Sequence, residues 1–252
     1  MSKQHTILQI HDISKTYHDK RGELIALEGI NMRIMEGELI AIVGSSGCGK
    51  STLLSIIGGL EKPSGGCLTF HKKRMKIGYM LQSDSLFPWR TIFDNCMLGL
   101  ELQKLDTKEN KEKVKQLLTT YGLQQFMHSY PKSLSGGMKQ RAALIRTLAI
   151  DPDILLLDEA FSALDYQTRL ILSDDIYSII KQEKKTTIMV THDLSEAISM
   201  ADRIYVLSSR PGRIKNIYTI ELENKGSPIE NRKAKEFASY YNQIWKDLDV
   251  NV

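Results

Sequence analysis

The sequence predicts a mixed α/β fold with an antiparallel N-terminal sheet and an inserted helical segment, and three patterns carry that expectation. Four short runs, LIAIVG (39–44), DILLLDE (153–159), TTIMV (186–190) and RIYVL (203–207), are continuously apolar and rich in Ile, Val and Leu. Strands buried on both faces of a parallel sheet have this composition, because helices cover both sides. By contrast, ILQIHDISKTY and the trio Ile30, Met32 and Ile34 alternate with polar residues, as half-exposed antiparallel strands do. In KEKVKQLLTTYG, Val114, Leu117, Leu118 and Tyr121 recur at helical spacing and Gly122 closes the run.

The helical segment is expected over about residues 90–135, between two core strands. A short helical tail is expected over 220–252, where Phe237, Tyr241, Ile244, Trp245 and Leu248 share one face that reads as core packing. No repeat, low-complexity stretch or long linker divides the chain, so residues 1–252 read as one domain.

Composition narrows the function classes. Hydrophobic residues make up 42% and charged residues 25%, as in an ordinary globular domain. A net charge of +4, with Lys and Arg scattered, argues for no nucleic-acid partner. Three cysteines form no CxxC pair and no metal-ligand spacing with the six histidines, which suits a reducing compartment. The N-terminal MSKQHTILQI lacks the apolar core of a signal peptide. Apolar runs fall far short of the roughly 20 residues that cross a bilayer, so a membrane role is expected to go through a partner.

GSSGCGKS (44–51) follows an apolar strand and precedes the helical run STLLSIIGGL, the context a phosphate-binding P-loop requires. Glycines let such a loop curl so that backbone N–H groups face the phosphates, and the helix adds its positive end. Gly44, Ser45, Ser46, Gly47, Cys48 and Gly49, with Thr52 beyond, are the expected nucleotide contacts, although the Cys48 thiol occupies a free position. Lys50 is expected on the β- and γ-phosphates and Ser51 on Mg²⁺. DILLLDE ends in two carboxylates: Asp158 suits Mg²⁺ or its waters, and Glu159 is the expected general base.

These motifs, with LSGGMKQR (134–141) between them, resemble the ATP-binding subunits of ABC transporters over about residues 7–215. The resemblance implies an α/β P-loop NTPase core with a mixed sheet, an antiparallel N-terminal β-subdomain and an inserted α-helical subdomain. LSGG is that family's signature. Tyr17 then corresponds to the aromatic that stacks on adenine, Gln82 to the glutamine touching Mg²⁺ or the lytic water, and His192 to the histidine on the γ-phosphate. SALD (162–165), ending at Asp165, matches the loop that crosses to a partner subunit. In this family two subunits pair head to tail, so Ser135, Gly136 and Gly137 are implied to cap the γ-phosphate held by a second copy.

The chain has one P-loop, one signature, no heptad insertion and no fused span, which leaves a stand-alone subunit docking on separate permease chains. LFPWRT (86–91) and SSRPGRI (208–214) resemble the branch importing nitrate, aliphatic sulfonates, taurine and related compounds, including thiamine-pyrimidine precursors. That branch implies ATP and Mg²⁺ as cofactors, an extracytoplasmic substrate-binding protein as indirect partner, and a place on the cytoplasmic membrane face. Phe87, Pro88 and Trp89 form the expected permease socket. A soluble assembly ATPase of the iron–sulfur type would keep every nucleotide motif. Ala160 and Phe161 stand where many relatives have Pro.

Overall fold

The structure is a computed structural model that describes residues 5–19, 22–161 and 165–248. In chain order it runs β1 (Thr6–Asp19), β2 (Gly22–Met35), β3 (Leu39–Val43), α1 (Lys50–Ile57), β4 (Gly65–Phe70) and β5 (Ile77–Met80). Next come α2 (Ile92–Leu102), α3 (Lys108–Thr120), two short 3₁₀ turns, α4 (Gly136–Ala149), β6 (Ile154–Asp158) and α5 (Tyr166–Gln182). The chain closes with β7 (Thr186–Val190), α6 (Leu194–Met200), β8 (Arg203–Leu207), β9 (Ile214–Thr219), α7 (Pro228–Asn231) and α8 (Phe237–Asp247).

Among the described residues the strands form two sheets, ordered β5-β6-β7-β3-β8-β9 and β2-β1-β4. The four continuous apolar runs become β3, β6, β7 and β8, all parallel, and every residue of β3 and β7 is buried. Alternation along these strands divides the core between the two faces of the sheet. Ile40, Ile42, Leu156, Ile188 and Val190 pack with α1 and the antiparallel sheet, while Ala41, Val43, Leu155, Leu157 and Met189 pack with the helices opposite. Full burial of each such Leu or Ile contributes about 1.5–3 kcal/mol, so the strand ends that carry the site rest on the most heavily buried part of the molecule.

The mixed sheet and the antiparallel sheet are as expected, and three elements add detail that the sequence did not give. The antiparallel sheet is not wholly N-terminal, because β4, which follows α1, returns to pair with β1. β9 supplies the antiparallel edge that makes the sheet mixed, although the strand itself was not picked out in the sequence. Both strands are largely exposed and lack the apolar continuity of their neighbours, so neither pattern announced them. In α8, Ile244 is buried, yet Trp245 is 44% exposed and stacks on Tyr241 at 6.0 Å, so that face is only partly core.

Candidate functional site

The carboxyl ends of β3, β6 and β7 carry the motifs, where open parallel sheets bind ligands. Leaving β3, the chain curls through Gly47 and Gly49, at φ +74° and +108°, into α1. Only glycine holds that region without strain. Lys50 is buried and its Nζ donates to the carbonyls of Gly44 (2.9 Å) and Ser45 (3.0 Å), closing the curl on itself. Ser51 Oγ donates to Asp158 Oδ1 at 2.9 Å, tying the start of α1 to the tip of β6. The second Asp158 oxygen accepts from the Tyr79 hydroxyl at 3.1 Å, and burial pushes that phenol up to about 12.

Glu159, one residue past β6, sits in the left-handed region at φ +45°, a conformation that costs a non-glycine residue on the order of 1 kcal/mol or more. Its backbone N–H donates to Val190 O at 2.9 Å, which fixes it against the end of β7. The side chain meets Gln82 Nε2 at 3.2 Å and lies 3.4 Å from His192 Nδ1. One carboxylate thus stands between the residues ending two other core segments.

Glu159 and His192, but not Gln82, line an open cleft of about 570 Å³ whose walls also include Tyr17, Lys50, Ser51 and Arg210. Tyr17 is at the mouth, 37% exposed, with Lys15 Nζ 4.8 Å from its ring centre. Ser46, Gly47, Gly49 and Thr52 also line the cleft. The Cys48 side chain does not: it is 1% exposed, packs in the core beneath the loop, and burial raises its thiol pKa. Any contribution of Cys48 to a nucleotide therefore comes from its backbone, as a loop side chain pointing into the fold dictates.

The signature turn is elsewhere. Ser135 caps α4, accepting from Met138 N at 3.4 Å, and Asp165 caps α5, accepting from Thr168 N at 3.1 Å. A Cβ at Gly137 would stand 3.5 Å from the Thr168 methyl, so the two helix starts adjoin. None of Ser135, Gly136, Gly137 and Asp165 lines the cleft. Ser162, Ala163 and Leu164 of SALD lie outside the described residues.

Sequence reasoning missed several residues here. Arg210 reaches the loop from the β8–β9 turn, donating to Gly47 O. Behind His192, Asp193 caps α6 and accepts from Arg169 of α5 at 3.3 Å, while the Thr191 hydroxyl donates to Glu196 at 2.7 Å. Burial pushes the Glu196 carboxyl up to about 7. Helical spacing hinted at none of these contacts, which span up to 163 residues.

Strand, glycine loop, helix-opening lysine and paired carboxylates together define a P-loop ATPase. Residues 27–162 match the family described as ABC transporter, and the chain belongs to that family. It is similar to an uncharacterized ABC transporter ATP-binding protein of Bacillus subtilis, YtlC, at 43% identity over 97% of this chain and 96% of that one. The nitrate import ATP-binding protein NrtD of Synechocystis sp. is 41% identical, covering 94% of this chain and 93% of its own. The aliphatic sulfonates import ATP-binding protein SsuB of Bacillus cereus is 37% identical, covering 96% of each. A solved dimeric ATP-binding cassette in a post-hydrolysis state, bound to ADP and Pi, superposes with a TM-score of 0.73 at 30% identity, over 85% of this chain and 99% of that one. The expected ABC ATPase fold and the resemblance to the nitrate and sulfonate branch therefore hold, and the chain is an ATPase that couples hydrolysis to transport.

Mg²⁺ fits the donors present. Ser51 and Asp158 are already drawn together at 2.9 Å and offer hard oxygens, which suit an ion that takes few protein ligands and fills its shell with phosphate and water.

Proposed function

We propose that this chain is the ATP-hydrolysing subunit of an importer for a small solute of the nitrate, aliphatic sulfonate or taurine type. It would act as a head-to-tail dimer at the cytoplasmic face of the membrane, docked on separate permease subunits served by an extracytoplasmic binding protein. The observation that carries this reading is Glu159 held between Gln82 and His192 on the rim of a cleft whose opposite wall is the phosphate loop.

In this reading adenine stacks on Tyr17, and the phosphates lie along the loop and the positive start of α1. Lys50 exchanges its two carbonyl partners for β- and γ-phosphate oxygens, a favourable trade for an ammonium. Ser51 and Asp158, with Gln82, would hold Mg²⁺, which screens phosphate charge when bound. Glu159 polarises the attacking water as general base while Gln82 and His192 fix its orientation. The helical insertion, about residues 90–135, presents the signature turn, and Ser135, Gly136 and Gly137 of a second copy cap the γ-phosphate. ATP then joins two half-sites, and hydrolysis removes the group both halves grip.

For the permease contact, Trp89 is 71% exposed beside Phe87, with ring centres 5.0 Å apart. Fully buried Asn95 accepts from Phe87 N and donates to Phe87 O, and Arg146 of α4 donates to the carbonyls of Asp84 and Ser85. A rigid turn offering an exposed aromatic is suited to insertion into a partner groove. No described helix is long and apolar enough to cross a membrane; in this reading the permease subunits meet the chain at this turn.

Phosphate release from ATP by the purified chain, lost in Lys50→Ala, tests the enzymatic part. Uptake of labelled nitrate, taurine and an aliphatic sulfonate by cells with and without the gene tests the import part. Unchanged uptake of all three would remove the proposed substrate class.

A further inference from the structure

The turn between β8 and β9 touches the phosphate loop although no nucleotide motif lies within it. Arg210 Nε and Nη2 both donate to Gly47 O, at 3.1 and 2.7 Å, and Arg210 also faces the cleft. Gly47 is one of the two loop positions at positive φ. A peptide there can turn its carbonyl either inward, where it would repel phosphate, or outward.

The turn that carries the arginine is fixed from several sides. Gly212 N donates to Ala26 O at 2.9 Å, and Gly212 O accepts from Glu28 N at 3.0 Å, which fastens it to β2. Ser208 Oγ donates to Pro211 O and accepts from Arg213 N, both at 3.0 Å. A Cβ at Gly212 would stand 2.3 Å from Cys48 O, so the turn backbone lies directly against the loop. Among the described residues Arg210 makes no ion pair, so its charge is answered only by the Gly47 carbonyl and by whatever enters the cleft. A guanidinium spending two donors on one carbonyl, from an anchored turn, is a strong directional restraint.

We propose that Arg210 is a positioning residue for the phosphate loop: it holds the Gly47 peptide in one orientation and so keeps the loop N–H groups aimed at the seat of the β-phosphate. The turn thereby joins β2, the partner strand of the one that carries Tyr17, to the loop bearing the phosphate side of the cleft. This inference rests on the cleft being the nucleotide site. It predicts an effect confined to nucleotides long enough to fill the loop.

Equilibrium binding of ADP and AMP to the purified chain, followed by displacement of a fluorescent nucleotide, tests it in the parent and in Arg210→Ala and Arg210→Lys. In Arg210→Ala, ADP affinity is expected to fall about tenfold, as for loss of a charge-assisted hydrogen-bond pair, while AMP affinity stays within about twofold. Lysine, which restores the charge but not the fork, is expected to recover part of the ADP affinity. Unchanged ADP affinity in both variants overturns the proposal, as does an equal loss for AMP and ADP, which would place the effect at the nucleoside end. Should the alanine variant not fold, the ADP-to-AMP ratio of the lysine variant decides in the same way. A parent chain that binds neither nucleotide instead defeats the assignment of the cleft.

Discussion

Two glycine turns open helices in this chain, GSSGCGKS before α1 and LSGG before α4, and their surroundings differ. The first is enclosed: Lys50 is buried against two carbonyls, Ser51 is tied to Asp158, Arg210 holds the Gly47 carbonyl, and Glu159 and His192 line the same cleft. At the second, Ser135 and Gly136 are exposed, and the turn makes contact through its cap and the neighbouring start of α5. Both open a helix, where backbone N–H groups without intrahelical partners favour an anion. Among the described residues, the proposed catalytic side chains Glu159 and His192 share a cleft with the first turn and not with the second. The difference is what the proposed head-to-tail pairing would explain, in which the first turn of one copy meets the second turn of another.

The largest expected effect breaks the enclosed site. Glu159→Gln keeps ATP binding and lowers turnover by about 10²–10⁴-fold, the range for a lost general base; single-turnover phosphate release measures it. Turnover near the parent rate would remove Glu159 from that role. Next is the exposed turn: Ser135→Arg is expected to lower hydrolysis by at least about 10²-fold, comparable to losing a preorganised oxyanion donor. Nucleotide binding to the single chain should persist, because Ser135 lies outside the cleft. Simultaneous loss of binding would mean the turn acts within its own chain.

A smaller effect concerns the support behind His192. Glu196 faces Thr191, Asp193, Arg169 and Arg232, and burial raises its carboxyl from an ordinary 4.5 to about 7. The fold therefore favours the protonated form. Below pH 4.5 the group is protonated in both folded and unfolded chains, and between 4.5 and about 7 the unfolded chain ionises first, so stability falls across that window. Glu196→Gln should flatten this slope and be more stable than the parent at pH 8 by about 1–3 kcal/mol, with little difference at pH 4. Denaturant melts at the two pH values check it, and parallel curves would contradict it. The smallest change in the isolated chain is expected for Trp89→Ala, whose exposure limits the stability loss to about 0.5 kcal/mol. Uptake in cells should nonetheless drop, and unimpaired uptake would exclude Trp89 from the permease contact.

Much of this was legible in the sequence where information is local. The phosphate loop needs its glycines, lysine and serine consecutive in the chain, and buried parallel strands need unbroken apolar runs, so both announced themselves. Tyr79, Arg210 and the Arg169–Asp193 pair were silent, because each acts through an approach across the fold. Arg210 and Gly47 are 163 residues apart, and Tyr79 and Asp158 are 79 apart. Strands β4 and β9 were silent for another reason: half-exposed edges tolerate mixed composition.

The central claim, a site completed by a second copy, is tested most directly by the molar mass of Glu159→Gln in solution with and without ATP. Light scattering should report a single chain without nucleotide and twice that mass with ATP, reverting to one chain when Ser135→Arg is added. An ATP-saturated Glu159→Gln protein that stays monomeric, or a dimer indifferent to Ser135→Arg, would contradict the account.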